Sequence, residues 1–135
     1  MNTATYKRIA LSQFEATLDM LQECIRACPP RCWKATVGKY EFWHVAYHAL
    51  YCTDLYTARS EKEWNTHPVF HPGGQKDVDG EYPTRMMTKK ELLAYVDHVR
   101  SEVRKSIRRE TTASLAKGAG FGWLGFTRAE LHLYS

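Results

Sequence analysis

Apolar positions recur along this chain at two spacings that mark helices. Leu11, Phe14, Leu18, Leu21, Ile25 and Cys28 alternate in steps of three and four and stop at Pro29-Pro30. That is one stripe of a helix that packs on other helices, ended by residues that cannot continue it. A second segment, Phe42 to Tyr56, has no Gly or Pro and hardly any charge, and predicts a largely buried helix over roughly Tyr40 to Arg59. Val45, His48, Cys52 and Leu55 are taken as its inward stripe, with His44 toward one edge. Thr88-Lys89-Lys90-Glu91 has the form of a capping box, and Leu92, Val96, Val99, Val103 and Ile107 trace the core face of the helix it opens. Thr127-Arg128-Ala129-Glu130 repeats the signal, with Phe126 placed as a hydrophobic staple. A fourth helix therefore begins near Thr127 and covers barely two turns before Ser135.

Between the second and third helices, Ser60 to Met87 holds Pro68, Pro72, Gly73, Gly74, Gly80 and Pro83 without sustained periodicity. This predicts a long irregular connection, able to carry the chain along the bundle. Thr111 to Gly125 is glycine-rich, with Phe121, Trp123 and Leu124 as apolar plugs. The expected fold is thus all-α: a single domain over 1–135, built as a four-helix bundle with a long second connection and a short fourth helix.

Composition sharpens this only slightly. A length of 135 residues with 44% hydrophobic and 25% charged positions suits one globular domain. The net charge of +4 is modest. Arg100, Arg104, Lys105, Arg108 and Arg109 wind around the polar side of the third helix, a solvated face rather than a nucleic-acid surface. No apolar run reaches membrane-spanning length, and Met1 to Tyr6 lacks a signal-peptide pattern. The expected location is cytoplasmic, with Cys24, Cys28, Cys32 and Cys52 as reduced thiols. Cys24, Cys28 and Cys32 are spaced by four, but Pro29 and Pro30 break their common face.

The candidate chemistry centres on Phe42-Trp43-His44-Val45-Ala46-Tyr47-His48. Two histidines four apart share a helix side, and an imidazole carried toward a core needs a partner. Tyr47 and Cys52 complete a candidate pocket around His44 and His48. His67 and His71 are also four apart, but in a proline-containing loop where that spacing has no helical meaning. His98 falls off the core stripe and is expected at the surface. Glu41 and Asp54 are possible hydrogen-bond partners of the helix histidines.

Three segments together resemble the DinB-like (DinB/YfiT) superfamily of four-helix bundles. They are the His44/His48 segment, the third-helix opening Thr88-Lys89-Lys90-Glu91-Leu92-Leu93-Ala94-Tyr95, and Phe126-Thr127-Arg128-Ala129-Glu130-Leu131-His132-Leu133-Tyr134. The resemblance implies a divalent metal, nickel or zinc, held by one histidine of the second helix and an H-x3-H pair of the fourth. Carried over residue by residue, it reaches His48 alone, and the H-x3-H would fall just past Ser135. The resemblance therefore implies a member lacking the second half of the site. The function expected is that of a non-catalytic or degenerate helical bundle without a cofactor, binding a small ligand near His48. The alternative is a metal-dependent thiol transferase or hydrolase whose site is completed across a dimer. A half-length fourth helix leaves apolar surface for a second copy to cover, so a homodimer is expected, with Phe121, Trp123, Phe126 and Tyr134 at the interface.

Overall fold

A computed structural model describes residues 1–79 and 83–135. Gly80, one of the turn residues of the expected connection, lies outside the described residues. Three long helices carry the fold: α1 (Thr3–Ala27), α2 (Phe42–Thr57) and α4 (Lys89–Arg108). Shorter helices are α3 (Gln75–Asp79), α5 (Thr112–Leu115) and α6 (Arg128–Tyr134), and β1 (Thr36–Val37) pairs with β2 (Tyr40–Glu41) in a small antiparallel hairpin. The all-α expectation holds at this level.

Local chemistry explains the boundaries. Asn2 caps α1 by accepting from the Thr5 N–H, and the helix stops before Pro29. The second helix begins at Phe42, not Tyr40. Gly38, at φ +64°, turns the chain into the hairpin that holds Tyr40 and Glu41 extended. Thr88 caps α4 by accepting from Glu91 N–H, while the Glu91 carboxylate pairs with Arg85 (2.7 Å) instead of closing the box. At α6 the box is complete, and Phe126 and Leu131 meet in one apolar cluster as a staple requires. A further box, Thr111 with Ser114, opens α5.

The main core lies where α4 packs on both α1 and α2, while α1 and α2 meet little directly. Phe14, Leu18 and Ile25 face Leu92, Val96, Val99, Val103 and Ile107, with Trp43, Tyr47 and Leu50 from α2. Each such side chain contributes roughly 1.5–3 kcal/mol on burial. Polar groups reinforce the same packing: Arg100 and Arg104 reach across to Glu15 on α1, and Arg100 also pairs with Asp19 (2.9 Å). The basic side of α4 is therefore partly an inter-helix clamp.

A second, smaller core joins Leu55 at the end of α2 to Ala119, Phe121 and Leu131. Gly120 makes it possible. It sits at φ +88°, a Cβ there would run into the Arg59 carbonyl, and its own carbonyl accepts from Glu61 N–H (3.1 Å). The glycine-rich segment thus lies directly against the chain leaving α2. Tyr6 donates to the Ala129 carbonyl (2.5 Å), fastening α6 to α1.

One expectation about α2 needs correction. Trp43, His44, Ala46, Tyr47, Leu50, Asp54 and Leu55 are buried, whereas Val45 and His48 are exposed. The inward face runs through 43, 47, 50 and 54, rotated from the expected stripe of 45, 48, 52 and 55. Alternating apolar residues nearly all round the helix leave periodicity with little power to choose a face.

Candidate functional site

The histidine pair divides. His44 is 5% exposed and lies between the rings of Tyr40 and Trp43, at centroid distances of 5.1 and 5.4 Å. His48, expected on the core line, points outward with the edge of Tyr51 beside it. Its ring nitrogens lie 3.7 and 3.8 Å from Cys52 Sγ, and burial pushes that thiol's pKa up. Tyr47 turns away from both histidines and donates to the Phe70 carbonyl (3.0 Å). The four residues expected to form one pocket therefore serve three different surroundings.

A chain of buried polar groups that local sequence does not announce forms instead around Asp54. Tyr95, on α4, donates to Asp54 Oδ2 at 2.7 Å. His71, from the connection, places Nε2 3.0 Å from the Tyr95 oxygen and 3.6 Å from Asp54 Oδ2. The His67 backbone N–H donates to His71 Nδ1 (2.8 Å), so Nδ1 carries no proton and Nε2 is the donor. The direction of the chain is thus fixed: His67 N–H to His71, His71 to Tyr95, Tyr95 to Asp54. Burial holds the His71 pKa below its ordinary value, against the pull of Asp54 and Asp77, and raises that of the Tyr95 phenol well above its own. Phe70 stacks on Tyr95 at 4.6 Å and seals one side.

The two ends of this chain, His67 and Asp54, line a cavity of about 510 Å³, while His71 and Tyr95 lie behind its wall. Among the described residues, the second oxygen of Asp54, Oδ1, receives a single long contact, from Trp64 Nε1 (3.5 Å). His67, His98, Glu102 and Arg109 form much of the rim. His98 is half-buried against the rings of His67 and Phe70, not at the surface as expected. The loop histidines do share a turn, through the His71 N–H to His67 carbonyl bond (2.6 Å), but it positions a hydrogen bond rather than a ligand pair.

A second buried cluster ties α6 down. Arg128 Nε donates to Glu110 Oε1 (2.7 Å), His132 Nε2 lies 3.0 Å from the same oxygen, and Ser114 donates to Oε2. These donors hold the Glu110 carboxyl at about 2 despite its burial. Arg128 Nη1 also donates to the carbonyls of Ala58 (3.1 Å), Arg59 (3.3 Å) and Ala119 (3.3 Å), joining α6 to both neighbouring loops.

The donor set does not fit a metal ion. Among the described residues His48 has the Cys52 thiol as its one polar neighbour, His71 uses both ring nitrogens, and His132 is engaged with Glu110. Among the described residues no three His, Cys, Asp or Glu side chains are placed to hold one. All four cysteines are free thiols, Cys28 buried and Cys24 exposed. Among the described residues no helix is long and apolar enough to cross a membrane.

The residues expected at an interface do come together. Tyr56 contacts Phe121 (5.0 Å) and Tyr134 (5.9 Å) edge-on, Tyr134 meets Phe126 (5.1 Å), and Trp123 Nε1 donates to Tyr56 Oη (3.2 Å). Phe121 is a correction: at 2% exposure it is core, and the open members are Trp123 and Tyr134. No family model, no curated protein and no solved structure matches this chain.

Proposed function

We propose that this chain is a DinB-like helical bundle without catalytic activity that binds a small polar molecule in the cavity above Asp54. The observation that carries the reading is a buried carboxylate locked in one orientation and opening on an accessible space. Tyr95, His71 and the His67 amide fix Oδ2, and Oδ1 keeps accepting capacity toward the cavity. Binding sites are typically concave, with few but well-fixed polar groups. The ligand class that matches is a small molecule with an N–H donor or cationic end for Asp54. His71 is unsuited to act as a base, since its unprotonated nitrogen already accepts from a backbone amide. Three long helices and the capping signals at α4 and α6 are in keeping with the family resemblance, and the ligand proposed here meets Asp54 rather than His48. The exposed Trp123, Leu133 and Tyr134 support a homodimer, which a constant monomeric mass in light scattering across a concentration series would remove.

The test of the ligand reading is an NMR screen of small amines and amides against the intact protein. Hits are expected to perturb Trp64 and His98, which frame the cavity, and to be lost in Asp54→Asn. Hits that bind Asp54→Asn equally well, or that perturb only residues outside the cavity, would overturn it.

A further inference from the structure

Beside the larger cavity, a second one of about 320 Å³ opens between the ends of α4 and α6. Its lining carries four cationic side chains, Arg59, Arg109, Lys117 and Arg128, against the single carboxylate of Glu110. That carboxylate already accepts from Arg128, His132 and Ser114. Among the described residues, no carboxylate lies within salt-bridge distance of Arg59, Arg109 or Lys117.

Arg128 adds a buried positive charge to the wall of this cavity. The residue is 4% exposed, its Nε and Nη1 are fully engaged, and its buried Nη2 meets no acceptor among the described residues. A buried guanidinium N–H without an acceptor is costly, more so than a neutral donor. The cations also act on one another. Burial, then the charges of Arg59 and Arg128, push the Arg109 guanidinium below its ordinary range, against the opposing pull of Glu110 and Glu63. Its one direct partner is neutral, the Thr57 carbonyl at 2.7 Å.

An anion would turn each of these repulsions into a charge-assisted hydrogen bond. We propose that this cavity binds a phosphate-class oxyanion, held by Arg59, Arg109 and Lys117, with the positive charge of Arg128 behind them. Charge decides between anion types: several uncompensated cations around one compact space match a tetrahedral dianion better than a monovalent carboxylate. The ligand is either inorganic phosphate or the phosphoryl group of a larger molecule. Lys117 and Arg128 line this cavity and not the one above Asp54, so the inference does not rest on the ligand proposed there.

The test is a calorimetric titration of the full chain with inorganic phosphate, at constant ionic strength set with chloride. Saturable binding is expected, weakened at least about tenfold in Lys117→Gln and again in Arg59→Gln, and weakened steeply by added salt. Lys105→Gln removes an exposed cation of α4 outside the cavity and is expected to leave the affinity unchanged. Phenyl phosphate is titrated in parallel. Tighter binding than phosphate identifies a phosphoryl group on a larger ligand, weaker binding identifies the free ion, and both support the site. Absence of saturable binding by a protein with unchanged circular dichroism would overturn it. So would an equal loss of affinity in Lys117→Gln and Lys105→Gln, which would reduce the effect to net charge.

Discussion

The two buried polar clusters are built on opposite principles. Around Glu110 a carboxylate meets the Arg128 guanidinium, and both its oxygens have a donor or ring nitrogen from α5 or α6 within hydrogen-bond distance. Around Asp54 the chain runs through neutral groups, an amide, an imidazole and a phenol, and ends on a carboxylate that still faces open space. The first cluster joins parts of the fold; the second aims one acceptor. The difference teaches where stability and function are separable. A closed ionic cluster contributes by what its removal leaves unpaired, while a half-open neutral chain is less costly to break and more consequential for binding.

The largest effect is therefore expected at Arg128. Arg128→Met leaves Glu110 buried with fewer donors and strips the carbonyls of Ala58, Arg59 and Ala119 of theirs. A loss of about 3–5 kcal/mol in urea unfolding is expected, as for other buried pairs broken on one side. A loss below about 1 kcal/mol would place this pair with exposed ones and erase the contrast. Tyr95→Phe keeps the ring stacked on Phe70 but removes the link between His71 and Asp54. A loss of about 1–3 kcal/mol is expected, together with a changed amine preference in the cavity. Full stability with unaltered binding would show that the chain does not orient Asp54.

Acid separates the clusters by pH. His71 is held neutral by burial, so the unfolded chain takes up its proton near the ordinary pH of about 6.5 while the folded chain does not. Its contribution is complete above that pH and declines as pH falls through the folded value. Asp54, Asp77, His67, His98 and Tyr95 face it, and the balance favours the neutral form. Glu110, with its carboxyl at about 2 in the folded state, contributes fully above the ordinary carboxylate range. That contribution is lost only as pH falls from there toward 2. Melting temperature against pH should show a first decline below about 6.5 and a second in the carboxylate range. His71→Asn should flatten the first and leave the second. An undiminished first slope in His71→Asn would assign it to another group.

How much of this was legible depends on the distance over which each feature is written. Caps are local: Thr127 and Glu130 announce α6 correctly, and Pro29 ends α1 where expected. The Thr111–Ser114 box went unread because serine replaces the usual Glu or Gln at its third position. The α4 face was readable because its apolar residues contrast with a charged side. The α2 face was not, because Phe42 to Tyr51 offers almost no polar side to contrast. Tyr95 lies 24 residues from His71 and 41 from Asp54 along the chain. Such a network leaves no periodic trace, and its one hint is Asp54, the single carboxylate of α2. Arg128 and Glu110 are equally silent, since a charged residue near a helix end carries no local sign of a buried partner 18 residues away.

The smallest expected effect concerns the histidine pair that dominates the sequence. His48 is exposed and, among the described residues, meets the edge of Tyr51 and the Cys52 thiol. His48→Ala should stay within about 0.5 kcal/mol of the parent protein and leave both phosphate and amine binding unchanged. His44 is buried between Tyr40 and Trp43, and its removal leaves a hole in packed aromatic surroundings. His44→Ala should cost at least about 1 kcal/mol more than His48→Ala by urea unfolding. The comparison is informative in both directions. If His48→Ala is the more damaging of the two, α2 presents its other face to the core in solution. The carboxylate of Asp54 would then turn with it, away from Tyr95, and the site above it would not exist. If the order is as expected, the prominence of His48 in the sequence is a matter of residue type alone, and the chemistry of α2 lies on the side where Asp54 sits.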